Sequence, residues 1–422
     1  MICRNCKKKK FDKISKIGKQ PISSLFLRKK VNIKEYSLDL FKCKNCDLVQ
    51  LSKIPNLKDM YGPEYGYKTS VSSLMVDHLK KKIINLNRFK IFKNKAKILD
   101  IGSNDGTFLN FFSKRKNNFD LYGIDPSAEA FLKDYHKKIN VIVDFFNKET
   151  VKKNFLEKKI KFSLITSYAM FYDVEEPNKF CEDISSLLNK DGIWALEFSY
   201  FPLLLKNLTY DQICHEHCTY YSLSTFKKII SKNNLKILDF NLNEINGGSI
   251  ELICAKKNSK FVPSEEKINS LIKEEEKITI KDFDKFNLRM ENSKKNLQLF
   301  LMKQNKKDII GYGASTKGNV ILNYCGITNN NLSYICDANP SKEGKFTPGS
   351  HIKIISKSNM RKLKPKYLII LIWSFRSEVI KQEKKFLESG GKLIFPLPVF
   401  HVVDKENYKK YLKEDFKLYS FL

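Results

Sequence analysis

The sequence predicts an α/β protein in three parts, and three observations carry that reading. Two Cys-x-x-Cys pairs, Cys3/Cys6 and Cys43/Cys46, lie within the first 46 residues. An apolar run, Lys97-Ile98-Leu99-Asp100-Ile101, stops at a turn containing Gly102 and Gly106, and a second run, Leu121-Tyr122-Gly123-Ile124, ends at Asp125. The same pattern of strand, glycine turn and helix returns at Asp308-Ile309-Ile310-Gly311-Tyr312-Gly313, with Asp337 one strand later. These imply a small N-terminal zinc-binding domain and two Rossmann-like units, divided at 1–68, 69–258, a helical connection 259–306, and 307–422.

In the first part, two residues between thiolates let both sulfurs and the intervening amides wrap one tetrahedral ion. Two such knuckles complete a shell of four thiolates, Cys3, Cys6, Cys43 and Cys46, with no open position. That is a structural Zn2+ site. A Tyr- and Gly-rich connection, Met60 to Tyr67, then leads to a helical stretch from about Ser70 to Lys93.

The second part opens on the fingerprint Asp100-Ile101-Gly102-Ser103-Asn104-Asp105-Gly106. Glycines let backbone approach a ligand closely, and the carboxylate at the next strand tip, Asp125 before Pro126, accepts hydrogen bonds from ribose hydroxyls. The spacing lacks the G-x-G-x-x-G of a pyrophosphate loop. Asp100 and Asp105 would repel a dinucleotide phosphate and suit the cationic methionyl end of S-adenosylmethionine. The segment therefore reads as a class I methyltransferase domain rather than a dehydrogenase. Further strands are expected at Asn140 to Phe145, Phe162 to Met170, Gly192 to Phe198, Leu235 to Asn241 and Gly248 to Ala255, an alternation with helices that gives a doubly wound sheet. Asp144, Phe145 and Tyr168 stand at strand ends where adenine contacts collect. Between Pro263 and Lys306 the charged sequence keeps apolar residues at helical intervals, which predicts a long helix or a helix pair. In the last unit, whose third glycine falls outside the usual spacing, further strands are expected at Tyr367 to Trp373 and Lys392 to Phe395.

The most reactive segment is Cys214-His215-Glu216-His217-Cys218, just after the fifth strand of the middle unit, where ligands gather at the carboxyl edge of such sheets. Three readings compete: base catalysis by His217 or His215, a zinc site using Cys214, His215, His217 and Cys218, and a packed turn. Histidine is the natural base near neutrality, and a neighbouring carboxylate such as Glu216 raises its basicity. The turn Asn246-Gly247-Gly248-Ser249 offers bare amides to a sugar or its phosphates, or is an ordinary hairpin. Lys317, at a helix start after a Gly-rich turn, pairs with a pyrophosphate or is solvated.

Taken together, the knuckles, Tyr65-Gly66-Tyr67, the Gly102 to Gly106 turn, His215-Glu216-His217, Asn246 to Ser249, Gly311 to Gly318 and Thr347-Pro348-Gly349 resemble the zinc-containing, three-domain sugar C-methyltransferases acting on nucleotide-linked 4-ketohexoses. The resemblance spans essentially the full length. It implies S-adenosylmethionine as donor, a nucleotide-linked sugar as acceptor, His217 as the base with Glu216 beside it, and Tyr65 or Tyr67 near the sugar. A base-assisted enolate would then attack the methyl group in line. Two positions depart from the family pattern: Phe171-Tyr172-Asp173-Val174 stands where a histidine is usual after the fourth strand, and Cys214 replaces a tyrosine. O-methylation of a sugar or related small molecule is the alternative.

The formal charge of +31 would ordinarily suggest nucleic acid. Almost all of it is lysine scattered through every segment, without interleaved base-stacking aromatics, so no dedicated nucleic-acid partner is expected. An RNA-modifying methyltransferase and a nicotinamide oxidoreductase built on Gly311 and Gly313 remain as rival classes. No apolar run reaches membrane-spanning length and the N-terminus lacks a secretory pattern, so no membrane partner and a cytoplasmic location are expected. Oligomeric state is left open.

Overall fold

A computed structural model describes residues 1–61 and 67–414. Its N-terminal sheet orders Phe11–Lys13, Leu40–Cys43 and Val49–Leu51, and its fourth strand, Thr219–Tyr220, comes from beyond the middle sheet's core strands. The two knuckles fold alike. Lys7 N bonds Cys3 O at 3.0 Å and Asp47 N bonds Cys43 O at 3.0 Å, with Lys7 and Asp47 both left-handed. Arg4 fastens the first knuckle to the sheet through Gln50 Oε1 and the Leu51 carbonyl.

The middle sheet runs, edge to edge, Leu235–Asn243, Ser249–Lys256, Leu188–Ser199, Phe162–Tyr168, Lys97–Ile101, Asp120–Ile124 and Ile139–Ile142. Ser249–Lys256 is antiparallel to both neighbours, and the rest of the run from Leu188–Ser199 onward is parallel. Helices cover both faces, which is why the central strands read as nearly continuous apolar runs. On one face Leu79, Ile83 and Leu86 of helix Ser73–Leu86 pack with Phe108 and Phe112. On the other, Phe180, Trp194, Phe198 and Phe226 form the core.

The stretch expected as one helix over 70–93 divides into a turn at Thr69–Val71, the helix Ser73–Leu86 and a turn at Asn87–Phe89. Ser72 caps the helix by accepting from Met75 N, and Lys90, left-handed at φ 54°, stops the turn that follows it. The strand expected to reach Met170 ends at Tyr168, because Ala169 turns left-handed and its amide bonds Glu197 O. Residues 263–306 form a helix pair, Glu265–Glu276 and Ile280–Met302, separated where Thr279 and Asp282 make a capping box.

The C-terminal sheet orders Lys353–Ser356, Tyr334–Asp337, Ile309–Tyr312, Tyr367–Ile370, Lys392–Phe395 and His401–Val403, with the last strand antiparallel. One hydrophobic cluster joins all parts: Ile14 and Leu40 of the first, Phe201 and Tyr210 of the middle, Phe283 and Leu297 of the helix pair, and Ile310 and Trp373 of the last.

Candidate active site

The four knuckle sulfurs converge. Cys3 and Cys46 Sγ lie 3.6 Å apart, Cys6 and Cys43 Sγ 3.5 Å, and all four within 4.8 Å of one another. Four thiolates at the usual zinc–sulfur distance sit about 3.8 Å apart, so the set fits one tetrahedral Zn2+. The amides of Asn45 and Cys46 donate to Cys43, and that of Leu48 to Cys46, as suits thiolates sharing a cation. This is the one metal-sized group of ligands among the described residues. Cys214, His215, His217 and Cys218 do not converge, which removes the zinc reading of that segment.

A cavity of about 400 Å³ opens at the carboxyl ends of the middle strands. Gly102, Ser103, Asn104, Asp125, Pro126 and Tyr168 line it, with Phe145, Phe146 and Met170 supplying apolar walls. Gly102 is needed: its φ is 74°, and a Cβ there would stand 3.0 Å from Met170 Cγ. Asp125 accepts from Asn104 N at 2.8 Å and from Ser127 N at 2.7 Å, which aims its carboxylate at the rim. Asp100 lies beneath the wall, accepting from Thr166 Oγ1 at 2.6 Å, and burial raises it to about 7. A glycine cradle, a strand-tip carboxylate and a second acid below fit the ribose and cationic methionyl end of S-adenosylmethionine.

Besides Asp100, which does not itself line the cavity, three expected contacts lie elsewhere. Asp105, expected to face the donor's charge, is 1% exposed and committed to Thr107 N and Oγ1 through one oxygen and Ser70 N through the other. Gly106 is off the wall; its φ of 72° and the Tyr135 ring, 2.6 Å from where a Cβ would stand, account for the glycine. Asp144 turns from the cavity to bond Phe145 N and Thr150 Oγ1. Asn104 meanwhile accepts from Thr69 N and donates to Tyr67 O, stitching that segment to the turn and bringing Tyr67 to the cavity. Tyr65 lies outside the described residues.

Sequence reading missed a buried group against the cavity. His78 Nε2 is 2.8 Å from Glu197 Oε1, and Lys82 Nζ is 2.5 Å from Glu197 Oε2 and 2.9 Å from Glu251. His78 and Glu197 line the cavity. Burial pushes Glu197 up, but Lys82 and His78 together outweigh it and bring it down to about 2. The signal was faint: His78 and Lys82 are four apart on one helix face, yet Lys82 follows Lys80 and Lys81.

The two histidines differ. His215 is fully buried against Tyr36, with Nε2 donating to the Tyr36 carbonyl at 3.2 Å. His217 Nδ1 donates to the Gln212 carbonyl at 2.7 Å, leaving Nε2 as the unprotonated nitrogen. Burial, then Lys317, push His217 down to about 3, so the ring is neutral at pH 7. Tyr172 lies over it, ring centroids 3.9 Å apart, and the next residue, Asp173, lines the cavity. Glu216 accepts from Ser23 Oγ, and its Oε1 has no hydrogen-bond partner among the described residues.

The Asn246 to Ser249 turn and Lys317 meet each other. Lys317 Nζ donates to Asn246 Oδ1 at 2.5 Å, Asn207 Nδ2 to Gly247 O at 3.0 Å, and Tyr200 N to Gly248 O, while Ser249 Oγ bonds Ile245 O. The turn is packed between the middle and C-terminal sheets rather than on the cavity wall. In the last unit, Lys342 Nζ donates to the Ala314 carbonyl at 2.7 Å and stands 3.8 Å from Asp337, occupying the strand-tip acid a nicotinamide ribose would use.

Three family models match in succession: "Putative zinc binding domain" over residues 3–61, "Methyltransferase domain" over 76–239 and "C-methyltransferase C-terminal domain" over 244–398. The C-methyltransferase NovU of Streptomyces niveus is 26% identical over 380 residues, 88% of this chain and 89% of its own length. The carboxy-S-adenosyl-L-methionine synthase of Nautilia profundicola is 32% identical over 148 residues, 32% of this chain and 61% of that protein. Among solved structures, the plantazolicin methyltransferase BpumL, in complex with SAH, is 16% identical over 43% of this chain and 84% of its own, with a TM-score of 0.34. Three models in that order, and a relative matched over nearly its whole length, join the thiolate cluster and the glycine-lined cavity in one conclusion: the chain is an S-adenosylmethionine-dependent methyltransferase that carries, in order, a zinc-binding domain, a methyltransferase domain and a C-methyltransferase C-terminal domain.

Proposed function

We propose that this enzyme C-methylates a nucleotide-linked ketosugar in the cytoplasm, with His217 as the base. The observation that supports the reading is the pinned imidazole: Nδ1 is committed to the Gln212 carbonyl, so Nε2 is the ring nitrogen that can accept a proton, as Nδ1 is for His215, whose Nε2 is committed to the Tyr36 carbonyl. A sugar C–H is acidic enough for histidine only beside a ketone, so the acceptor is a ketosugar whose carbanion is delocalised onto oxygen. S-adenosylmethionine, when bound along Gly102 to Asn104 and Asp125, supplies an electrophilic methyl. The chain's own residues orient the acceptor against it and exclude water, and Tyr67, which lines the cavity together with Tyr61 and Tyr168, is our candidate to meet the sugar.

Incubation with labelled donor and a panel of dTDP-, GDP- and CDP-linked 4-ketosugars tests the substrate class. In the absence of donor, the enzyme should exchange the carbon-bound proton of the accepted sugar with D2O, and His217→Asn should abolish both exchange and turnover while leaving donor affinity intact. Near-normal turnover by that variant removes His217 from the role.

A second reading has its own observation. Asp173, within the Phe171 to Val174 segment that departs from the family pattern, lines the donor cavity with its carboxyl buried beside Tyr61. Burial holds its carboxyl well above the usual range. That burial disfavours the carboxylate and strengthens it as a base, so the ionised form would take the proton of a hydroxyl, giving O-methylation. The product's methyl resonance, carbon-attached or oxygen-attached, separates the two.

A further inference from the structure

The bonds that fix His217 do not end within the methyltransferase domain. His217 Nδ1 donates to the Gln212 carbonyl at 2.7 Å, and Gln212 Nε2 donates to the Asn246 carbonyl at 2.7 Å. Asn246, left-handed at φ 58°, accepts through Oδ1 from Lys317 Nζ at 2.5 Å. Lys317 belongs to the first turn of helix Thr316–Tyr324, in the C-terminal domain. A second bond follows the same route: Trp373 Nε1 donates to Asp211 Oδ2 at 2.9 Å, next to Gln212 in the chain. A lysine in a helix's first turn opposes the helix dipole. Here an amide oxygen and a buried carboxylate hold it there.

We propose that Lys317 is a positioning residue for methyl transfer: it anchors the Gln212–Asn246 relay across the domain boundary and stands as a fixed cation beside the His217 ring. The proposal rests on the reading of His217 as base. The groups facing the pair are Asp211 and Cys214, which act on Lys317, and the ring of Tyr172, stacked on His217. Burial lowers Lys317 to about 8, with Asp211 and Cys214 opposing, so the ammonium persists at neutral pH. Burial raises Asp211 to about 6, with Lys317 opposing. The C-terminal domain thereby contributes to a reaction whose donor cavity it does not line.

The test uses the full-length, zinc-loaded enzyme near neutral pH, where the thiolates keep their metal. Lys317→Met should slow both turnover and the donor-free exchange of the sugar's carbon-bound proton with D2O by about tenfold, the size a lost neighbouring charge produces, while Lys317→Arg should restore most of both and donor affinity should be unchanged in each. Asn246→Asp, nearly isosteric, replaces the amide oxygen that receives Lys317 with a carboxylate and should also lower exchange, which keeps the test alive if Lys317→Met does not fold. Exchange and turnover at the wild-type rate in the folded variants overturn the proposal. Exchange that survives in His217→Asn removes His217 as the base, a result distinct from the first.

Discussion

Two carboxylates near the ends of strands on either side of Phe162–Tyr168, Asp100 and Glu197, are driven in opposite directions by their surroundings. Asp100 is buried with a hydroxyl to offset the loss of water and rises to about 7, whereas Glu197 meets Lys82 and His78 and falls to about 2. The consequences for stability have opposite signs. Asp100, raised above its unfolded value of 3.8, contributes stability that is complete below 3.8 and lost as pH rises through 7. Glu197, lowered from 4.5, contributes stability present above 4.5 and lost as pH falls through 2. A cationic donor bound in the adjoining cavity would favour the ionised form of Asp100 through space, although Asp100 does not itself line that cavity. Donor affinity should therefore increase with pH up to about 7 with release of a proton, seen by calorimetry in two buffers of different ionisation enthalpy, and Asp100→Asn should abolish that release. Asp100, Gly102 and Asp125 could be read from the sequence because a strand end is marked locally by where an apolar run meets glycine or acid. The His78, Lys82, Glu197 and Glu251 group could not, because Lys82 and Glu197 are 115 positions apart and pairing at that range leaves no local trace.

At the scale of elements, turns decide where reactive segments point. Gly247 is left-handed at φ 82°, and a Cβ there would stand 2.6 Å from Thr209 Cγ2 and 2.7 Å from Trp373 Cη2. Gly344 has nearly the same φ, 81°, with nothing within 4 Å. Gly344→Ala should show the backbone strain alone, on the order of 1 kcal/mol, while Gly247→Ala adds a steric clash and should cost about 3 kcal/mol or more in urea unfolding, with loss of turnover because Thr209 leads into the His217 loop. The helix pair shows what periodicity conveys and omits. Its apolar spacing announced helices, but not that the middle acid of Glu274-Glu275-Glu276 is buried, bonded by Tyr200 and by the amides of Leu223 and Ser224 at the start of another helix. A sequence window contains the helix that bears Glu275 and not the one it caps.

At the scale of the whole molecule, the parts are interlocked rather than strung together. The strand Thr219–Tyr220, directly after His215-Glu216-His217, completes the sheet of the zinc-binding domain through Val49 and Gln50. Ser23 of the first part donates to Glu216 and accepts through its carbonyl from Asn319 of the last. Removing zinc with a chelator should accordingly lower the melting temperature and reduce turnover more than donor affinity, since the thiolate cluster supports the sheet that fixes the histidine loop while Gly102 and Asp125 hang on the central strands. Equal loss of both, or turnover untouched, would show the histidine loop to be held independently of the metal. The sequence by itself determined the α/β architecture, the four clustered thiolates and the glycine turn that opens on the cavity, because each depends on spacing within a few residues: two positions between thiolates, an acid at a strand tip, a glycine where backbone must come close. Tertiary structure alone decided which carbonyl pins each histidine, which acids are buried and beside which partners, and that Lys317 reaches back to Asn246. Those properties belong to burial and to partners brought together from distant parts of the chain, and burial is defined only once the chain has folded.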